Sequence, residues 1–320
     1  MKFRYLFLII IAFVSCQPIA EQKTTEGKAV KVSSDFHEIE DAYHFYTIGD
    51  WGRNGEYKQK ELADMMDLAG RKIEPEFIVS TGDNFYPNGV ASTQDPYWVS
   101  SFENIYSGHT LFCPWYVVLG NHDYRGNYQA QIDYSNISQR WNMPAQYYFK
   151  DIETDDGAII RFVFIDTSPL NDEYYQETKY VKVHDQDTTA QLAWMDEVLD
   201  VEVDWKIVVG HHPLYTGGKR VEDQMWVRTH IEKLLTKHKV HLYLAGHEHD
   251  LQHIKNDQLP THHIISGAGS EVRETGMMEH SVFAKAIQGF VASSITQDSI
   301  YNQYVDVDGN VIYAHTVKKK

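Results

Sequence analysis

Beyond residue 42 the chain alternates between two hydrophobic periods. Short apolar runs at His44–Ile48, Phe77–Ser80, Trp115–Leu119, Ile159–Ile165, Trp205–Val209 and Val240–Leu244 are rich in β-branched and aromatic residues and have the length of buried strands. Between them Tyr57–Ala69, Pro96–Tyr106, Thr189–Leu199 and Gln224–His238 carry apolar residues three and four apart, the spacing of one helix face. From Phe290 onward the period shortens. Phe290–Ile295, Tyr301–Val305 and Val311–Val317 read as short alternating strands, and Asp308-Gly309-Asn310 predicts a hairpin turn between the last two. Strand–helix alternation followed by antiparallel strands predicts a layered α/β fold with mixed sheets.

The start of the chain follows neither period. Lys2 and Arg4 precede an unbroken apolar run from Tyr5 to Val14, too short for a bilayer, which takes about 20 residues. A basic start and a short apolar run predict an export signal. Phe13-Val14-Ser15-Cys16 resembles the lipobox of bacterial lipoproteins, with Cys16 as the lipidated first residue of the mature chain. Phe13 stands where leucine is commoner, so ordinary signal cleavage nearby is the alternative. The stretch after Cys16 is Gln, Glu, Lys, Thr and Ser with few apolar residues, the composition of a solvated tether. The expected organisation is a signal peptide at 1–15, a tether at 16–41 and one domain at 42–320, in a protein exported to the cell envelope or secreted. Membrane contact would come only through a lipid on Cys16.

Composition narrows the chemistry. With 42% hydrophobic residues the 320-residue chain can build a large core. Its 45 acidic against 29 basic residues, a net charge of −16, argue against nucleic acid as a partner and require fixed positive charge at any site for an anion. Two cysteines, Cys16 and Cys113, exclude a disulfide framework and a cysteine-rich zinc module. There are, however, 17 histidines.

Several of those histidines fall at strand ends. The strand ending at Ile48 runs into Gly49-Asp50, that ending at Thr81 into Gly82-Asp83-Asn84-Phe85-Tyr86, and that ending at Leu119 into Gly120-Asn121-His122-Asp123. Val209 leads to Gly210-His211-His212-Pro213, and Ala245 to Gly246-His247-Glu248-His249. The carboxyl edge of an α/β sheet is where such folds hold ligands, and glycine lets the backbone turn sharply there. Each motif alone is an ordinary turn; five with one syntax are not. Oxygen donors from Asp50, Asp83, Tyr86 and Asn121 beside imidazoles from His211, His247 and His249 suit iron, manganese or zinc. They are too many for one tetrahedral zinc. Two metals bridged by one carboxylate would use them all.

These five blocks resemble those of the purple acid phosphatases, in the calcineurin-like metallophosphoesterase superfamily, and the small tartrate-resistant mammalian type in particular. The likeness extends to Pro114–Asn127, Ala130-Gln131-Ile132, Ser138–Asn142 and Ser266-Gly267-Ala268-Gly269, and so to nearly the whole chain from Tyr43. It implies a four-layer αββα sandwich and a metal-activated hydroxide that attacks phosphate monoesters without a covalent enzyme intermediate. Asp50, Tyr86 and His249 would hold Fe(III), Asp83 would bridge, and Asn121, His211 and His247 would complete a site for divalent iron, zinc or manganese. His122 would contact the phosphate or protonate the leaving group. A monomer is the family default. Phosphodiesterase or nucleotidase specificity, and a non-catalytic surface lipoprotein, are the alternatives.

The sequence departs from the pattern at three places. The superfamily's Asp-X-His block reads Asp50-Trp51-Gly52 here, and the Tyr86 phenolate substitutes for the missing imidazole. His212 stands where the family has tyrosine. The mammalian type carries another histidine where this chain has Thr216-Gly217-Gly218-Lys219-Arg220, leaving Lys219 and Arg220 as candidate replacements. Residues 171–187, rich in Tyr, Glu and Asp, lie where the mammalian type has an exposed loop over its site, and read either as a segment that shapes substrate access or as a solvated acidic loop.

Overall fold

The structure, a computed structural model, describes residues 31–319. The export signal, the lipobox with Cys16 and the first part of the tether lie outside the described residues. In chain order the elements are β1 (Tyr43–Ile48), α1 (Gln59–Ile73), β2 (Phe77–Ser80), β3 (Trp115–Val117), α2 (Tyr128–Tyr134), β4 (Trp141–Asn142), β5 (Tyr148–Glu153) and β6 (Ile159–Phe164). There follow α3 (Thr188–Leu199), β7 (Trp205–Val209), α4 (Val221–Lys237), β8 (Leu242–Ala245), β9 (Leu251–Ile254) and β10 (His262–Ser266). β11 (Ser281–Lys285), β12 (Gly289–Ile295), β13 (Ser299–Asp306) and β14 (Val311–Lys318) complete the chain.

The strands form two seven-stranded sheets, ordered β14-β13-β12-β1-β2-β3-β4 and β11-β9-β10-β8-β7-β6-β5. β1 to β4 run parallel in the first, and β6, β7, β8 and β10 in the second; the remaining pairs are antiparallel. Alternation of side chains along a strand gives each sheet two buried faces. Inward, Phe45 and Phe77 of the first sheet meet Phe162 of the second edge-on, with ring centres 5.4 and 5.3 Å apart. Outward, Tyr46 turns its hydroxyl to the Met66 carbonyl of α1, whose Leu62, Met66 and Ala69 are fully buried. On the far side Val163, Val208 and Tyr243 pack under Met195 and Leu199 of α3 and Val227, Ile231 and Leu235 of α4. The four αββα layers are those the family resemblance implies, and the mixed sheets those the hydrophobic pattern predicts.

Three stretches differ from the pattern reading. Residues 96–106 include a π-helical turn over Trp98–Glu103 rather than an α-helix, with Trp98 stacked on Tyr134, ring centres 3.6 Å apart. The described end of the tether is folded against the domain: Phe36 is 3% exposed, and His37 exchanges two 2.8 Å backbone hydrogen bonds with the Gln303 amide of β13. One apolar residue in a polar stretch is too weak a signal to reveal that docking. Residues 168–185 wind through short 3₁₀ segments, not an open loop. The Asp308–Asn310 turn is as expected, with Gly309 at φ +84°. Among the described residues no helix is long and apolar enough to cross a membrane. Burial pushes the Cys113 thiol up to about 11, the state of an inert thiol.

Candidate metal centre

The parallel strands of both sheets end on one side of the sandwich, and the loops leaving β1, β2, β3, β7 and β8 converge there. Sharp exits are needed. Asp50, Asp83 and His247 adopt left-handed backbone at φ +59°, +51° and +68°, unusual for residues with a Cβ, and Gly82 does so at +92°, where a Cβ would fall 2.8 Å from Gly120 N and His211 Nδ1. The carboxylate of Asp123, buried behind these loops, ties two of them together by accepting from the N–H groups of Gly120, Asn84 and Phe85 and from the Gln131 amide.

All seven predicted donors come together, and all are buried. The Tyr86 hydroxyl lies 2.9 Å from Asp50 Oδ1, 2.9 Å from Asp83 Oδ2 and 3.0 Å from His249 Nε2. One hydroxyl proton cannot satisfy three acceptors at once. Beside this group, Asn121 Oδ1 lies 3.3 Å from His211 Nε2 and 3.1 Å from His247 Nδ1, with the two imidazole nitrogens 3.1 Å apart. His211 donates its Nδ1–H to the Thr81 carbonyl at 2.9 Å, which turns its Nε2 to the cluster, 3.6 Å from Asp83 Oδ1. Asp83 thus touches both groups of donors. Two sets of convergent, proton-poor acceptors sharing one carboxylate are what a pair of cations requires, and the hard-oxygen and imidazole mixture fits ferric iron beside a divalent metal.

The electrostatics point the same way. Burial pushes the Asp50 carboxyl up to about 7, helped by the charge of Asp83. Against its own burial, Asp83 is held well below the usual carboxylate range by the imidazoles of His211 and His122 and by the His122 N–H. Burial and the two carboxylates raise Tyr86 far above the usual phenol range. Burial and nearby arginines lower His249 to about 3 and His247 well below the imidazole range, so both rings present lone pairs. A buried cluster of this kind favours added positive charge.

Around the donors sit groups that orient them. His122 donates Nδ1–H to the Pro87 carbonyl at 2.6 Å and lies with Nε2 4.0 Å from Asp83, its ring centre 4.4 Å from that of Tyr86. His212 is no donor to the cluster. Both its nitrogens are engaged, Nδ1 with the Thr167 hydroxyl at 2.8 Å and Nε2 with the Tyr174 hydroxyl at 2.9 Å. Tyr180 accepts from the Asn121 amide at 2.8 Å and from Arg125 at 2.7 Å, so the 171–187 segment is tied directly to a predicted ligand. Nothing in its acidic composition signals that contact. Asp166 is buried away from the donors, bonded to the Tyr124 hydroxyl and to Ser168 N–H.

The departures from the family pattern now have physical reasons. A Cβ at Gly52 would fall within the Asn84 carbonyl, so no side chain can project from that position, and the Gly52 carbonyl accepts from Tyr86 N–H at 2.9 Å. Tyr86 is also capped by the Arg53 guanidinium, 3.9 Å from its ring centre. Of the two candidate cations, Arg220 is half-buried and places Nη1 against the His247 ring, 3.1 Å from Nδ1 and 3.2 Å from Nε2. Lys219 points to solvent and pairs with Glu274 at 3.2 Å.

Comparison with known proteins agrees with this geometry. Residues 30–251 match the calcineurin-like phosphoesterase family. Purple acid phosphatase 17 of Arabidopsis thaliana is 34% identical, covering 86% of this chain and 84% of its own. Tartrate-resistant acid phosphatase type 5 of Oryctolagus cuniculus is 31% identical over 86% of this chain and 91% of its own. Among solved structures, GAP50, the anchor in the inner membrane complex of Plasmodium, superposes with a TM-score of 0.73 at 28% identity, covering 87% of this chain and 89% of that one. The chain belongs to the calcineurin-like phosphoesterases and, within them, to the purple acid phosphatases. It is a metal-dependent phosphomonoester hydrolase with a binuclear centre of ferric iron and a divalent metal.

Proposed function

We propose that Asp50, Tyr86 and His249 hold the ferric ion, Asn121, His211 and His247 the divalent one, and Asp83 both, in an exported acid phosphatase. The observation that carries this assignment is the Tyr86 hydroxyl within 3.0 Å of three acceptors from three different loops. When bound, the two metals supply Lewis acidity toward the phosphate oxygens and acidify a water. The protein's own groups do the rest. Arg220 adds fixed positive charge for the substrate phosphate in an otherwise acidic molecule, a guanidinium task that imidazole performs elsewhere in the family. His122, tethered through Nδ1 to Pro87, has its Nε2 on the Asp83 side of the centre; burial lowers its ring to about 4, so it would protonate the departing oxygen only as the imidazolium that a bound phosphate's negative charge favours. His212, Tyr174 and Tyr180 keep the ligands in register. Export through the leader, with a lipid on Cys16, would put the enzyme at the cell envelope.

The metal-loaded protein tests the substrate class. It is expected to turn over p-nitrophenyl phosphate faster than bis(p-nitrophenyl) phosphate, and His122→Asn should lower monoester turnover about 10²–10⁴-fold with metal content unchanged. Preference for the diester would make it a phosphodiesterase. Absence of turnover on both would favour a binding role, such as the anchoring described for the Plasmodium relative.

A further inference from the structure

The metal centre and its surroundings leave several of the 17 histidines unused. Three of these, His253 on β9, His262 on β10 and His315 on β14, meet elsewhere in the sandwich. In the β9–β10 ladder His253 stands opposite Ile264, so His262, two residues before Ile264, lies on the same face of that sheet. β14 belongs to the other sheet, where His315 pairs with Asn302 of β13. The cluster therefore bridges the two sheets. His253 is four residues beyond His249, about 13 Å along an extended chain.

One nitrogen from each ring lies within 4.8 Å of the other two. His253 Nε2 and His262 Nδ1 are 3.0 Å apart, and the His253 and His315 rings stack at 3.7 Å and 10°. The outer nitrogen of His253, Nδ1, is held by the Tyr313 hydroxyl at 2.8 Å, and His315 Nε2 by the Asn302 amide at 3.3 Å. Such outer bonds fix ring orientation at metal sites. His315 Nδ1 is buried with no hydrogen-bond partner among the described residues, a costly arrangement unless something pairs with it. Burial and the neighbouring imidazoles lower His253 to about 3 and His315 to about 2, so both rings are neutral near pH 7. The nearby Lys255 ammonium is bonded to the Asn256 and Leu259 carbonyls. His262 borders a surface cavity of about 730 Å³, which gives an ion a route in.

We propose that His253, His262 and His315 form a third metal site, separate from the binuclear centre, for a divalent ion of the zinc–copper class. Three imidazoles without carboxylate or thiolate select such ions over calcium or magnesium. Two nitrogens bound to one zinc at about 2.05 Å sit about 3.3 Å apart, close to the His253–His262 separation already present. The His315 ring, now stacked on His253, has to tilt so that its in-plane lone pair meets the same ion. A bound ion ties β9 and β10 of one sheet to β14 of the other, and so stabilises the folded chain by mass action.

The test uses full-length protein already loaded at its binuclear centre, titrated with zinc chloride while metal content and thermal unfolding are followed. Wild type is expected to take up one further equivalent, reaching three metals per chain, with a raised Tm. His315→Ala and, separately, the milder His262→Gln should stop at two metals and lose the zinc-dependent rise in Tm, with phosphatase turnover unchanged. Wild type that stops at two metals would overturn the site, as would a third equivalent retained by both variants. The binuclear metals are counted before zinc is added, so failure here leaves the phosphatase assignment standing.

Discussion

As a metal ligand Tyr86 would do for this chain what a histidine two residues after the first motif's aspartate does in other metallophosphoesterases, and the reason is steric as well as chemical. The Asn84 carbonyl closes the space over Gly52, while the Tyr86 hydroxyl stands where two carboxylates and an imidazole converge. That these seven side chains would converge was legible in the sequence, because each follows a buried strand by a residue or a few in one repeated pattern. The choice between Lys219 and Arg220 was not legible, since adjacent cations look alike until the fold half-buries one and exposes the other. It has a direct consequence. Arg220→Ala should raise KM for a phosphate monoester about tenfold or more, the scale of a lost charge-assisted hydrogen bond, while Lys219→Ala leaves it unchanged. Steady-state kinetics on both variants check this. Equal, small effects would remove Arg220 from the substrate's path.

At the scale of elements, the site depends on backbone segments packed too closely for side chains. Gly52→Ala would drive a methyl group into the Asn84 carbonyl and strain the Tyr86 N–H bond to the Gly52 carbonyl. A loss of about 1–3 kcal/mol in stability is expected for such overpacking, together with weaker iron retention. Thermal unfolding and metal analysis would show it, and wild-type values of both would contradict it. Strands flanking the motifs were legible because they are unbroken apolar runs rich in β-branched and aromatic residues. β4, β5, β9, β10 and β11 were not, since β4 is two residues long and polar residues interrupt the others. The 171–187 segment reads as solvated acid in sequence; only the fold reveals that Tyr174 and Tyr180 are buried against His212 and Asn121.

Across the whole molecule, the sandwich concentrates buried carboxyls on the side where the metals belong, and this has a cost in stability. Asp166 lies outside the donor set, and burial pushes it up to about 7. In the unfolded chain it titrates near 3.9. Between those values the folded state keeps a proton that the unfolded state has released, so its contribution to stability falls as pH rises from about 4 to about 7, by up to about 4 kcal/mol. Asp166→Asn, which cannot ionise, should lack that slope. Urea unfolding of the metal-loaded proteins at pH 5 and pH 7.5 should show the variant gaining on wild type at the higher pH; parallel behaviour would contradict the shift. The central claim is that Tyr86 binds ferric iron beside Asp50, Asp83 and His249. The visible absorption spectrum of iron-reconstituted protein tests it most directly. A broad purple or pink band in wild type that vanishes in Tyr86→Phe is the predicted result; an active protein that is colourless, or a band that survives Tyr86→Phe, would contradict it.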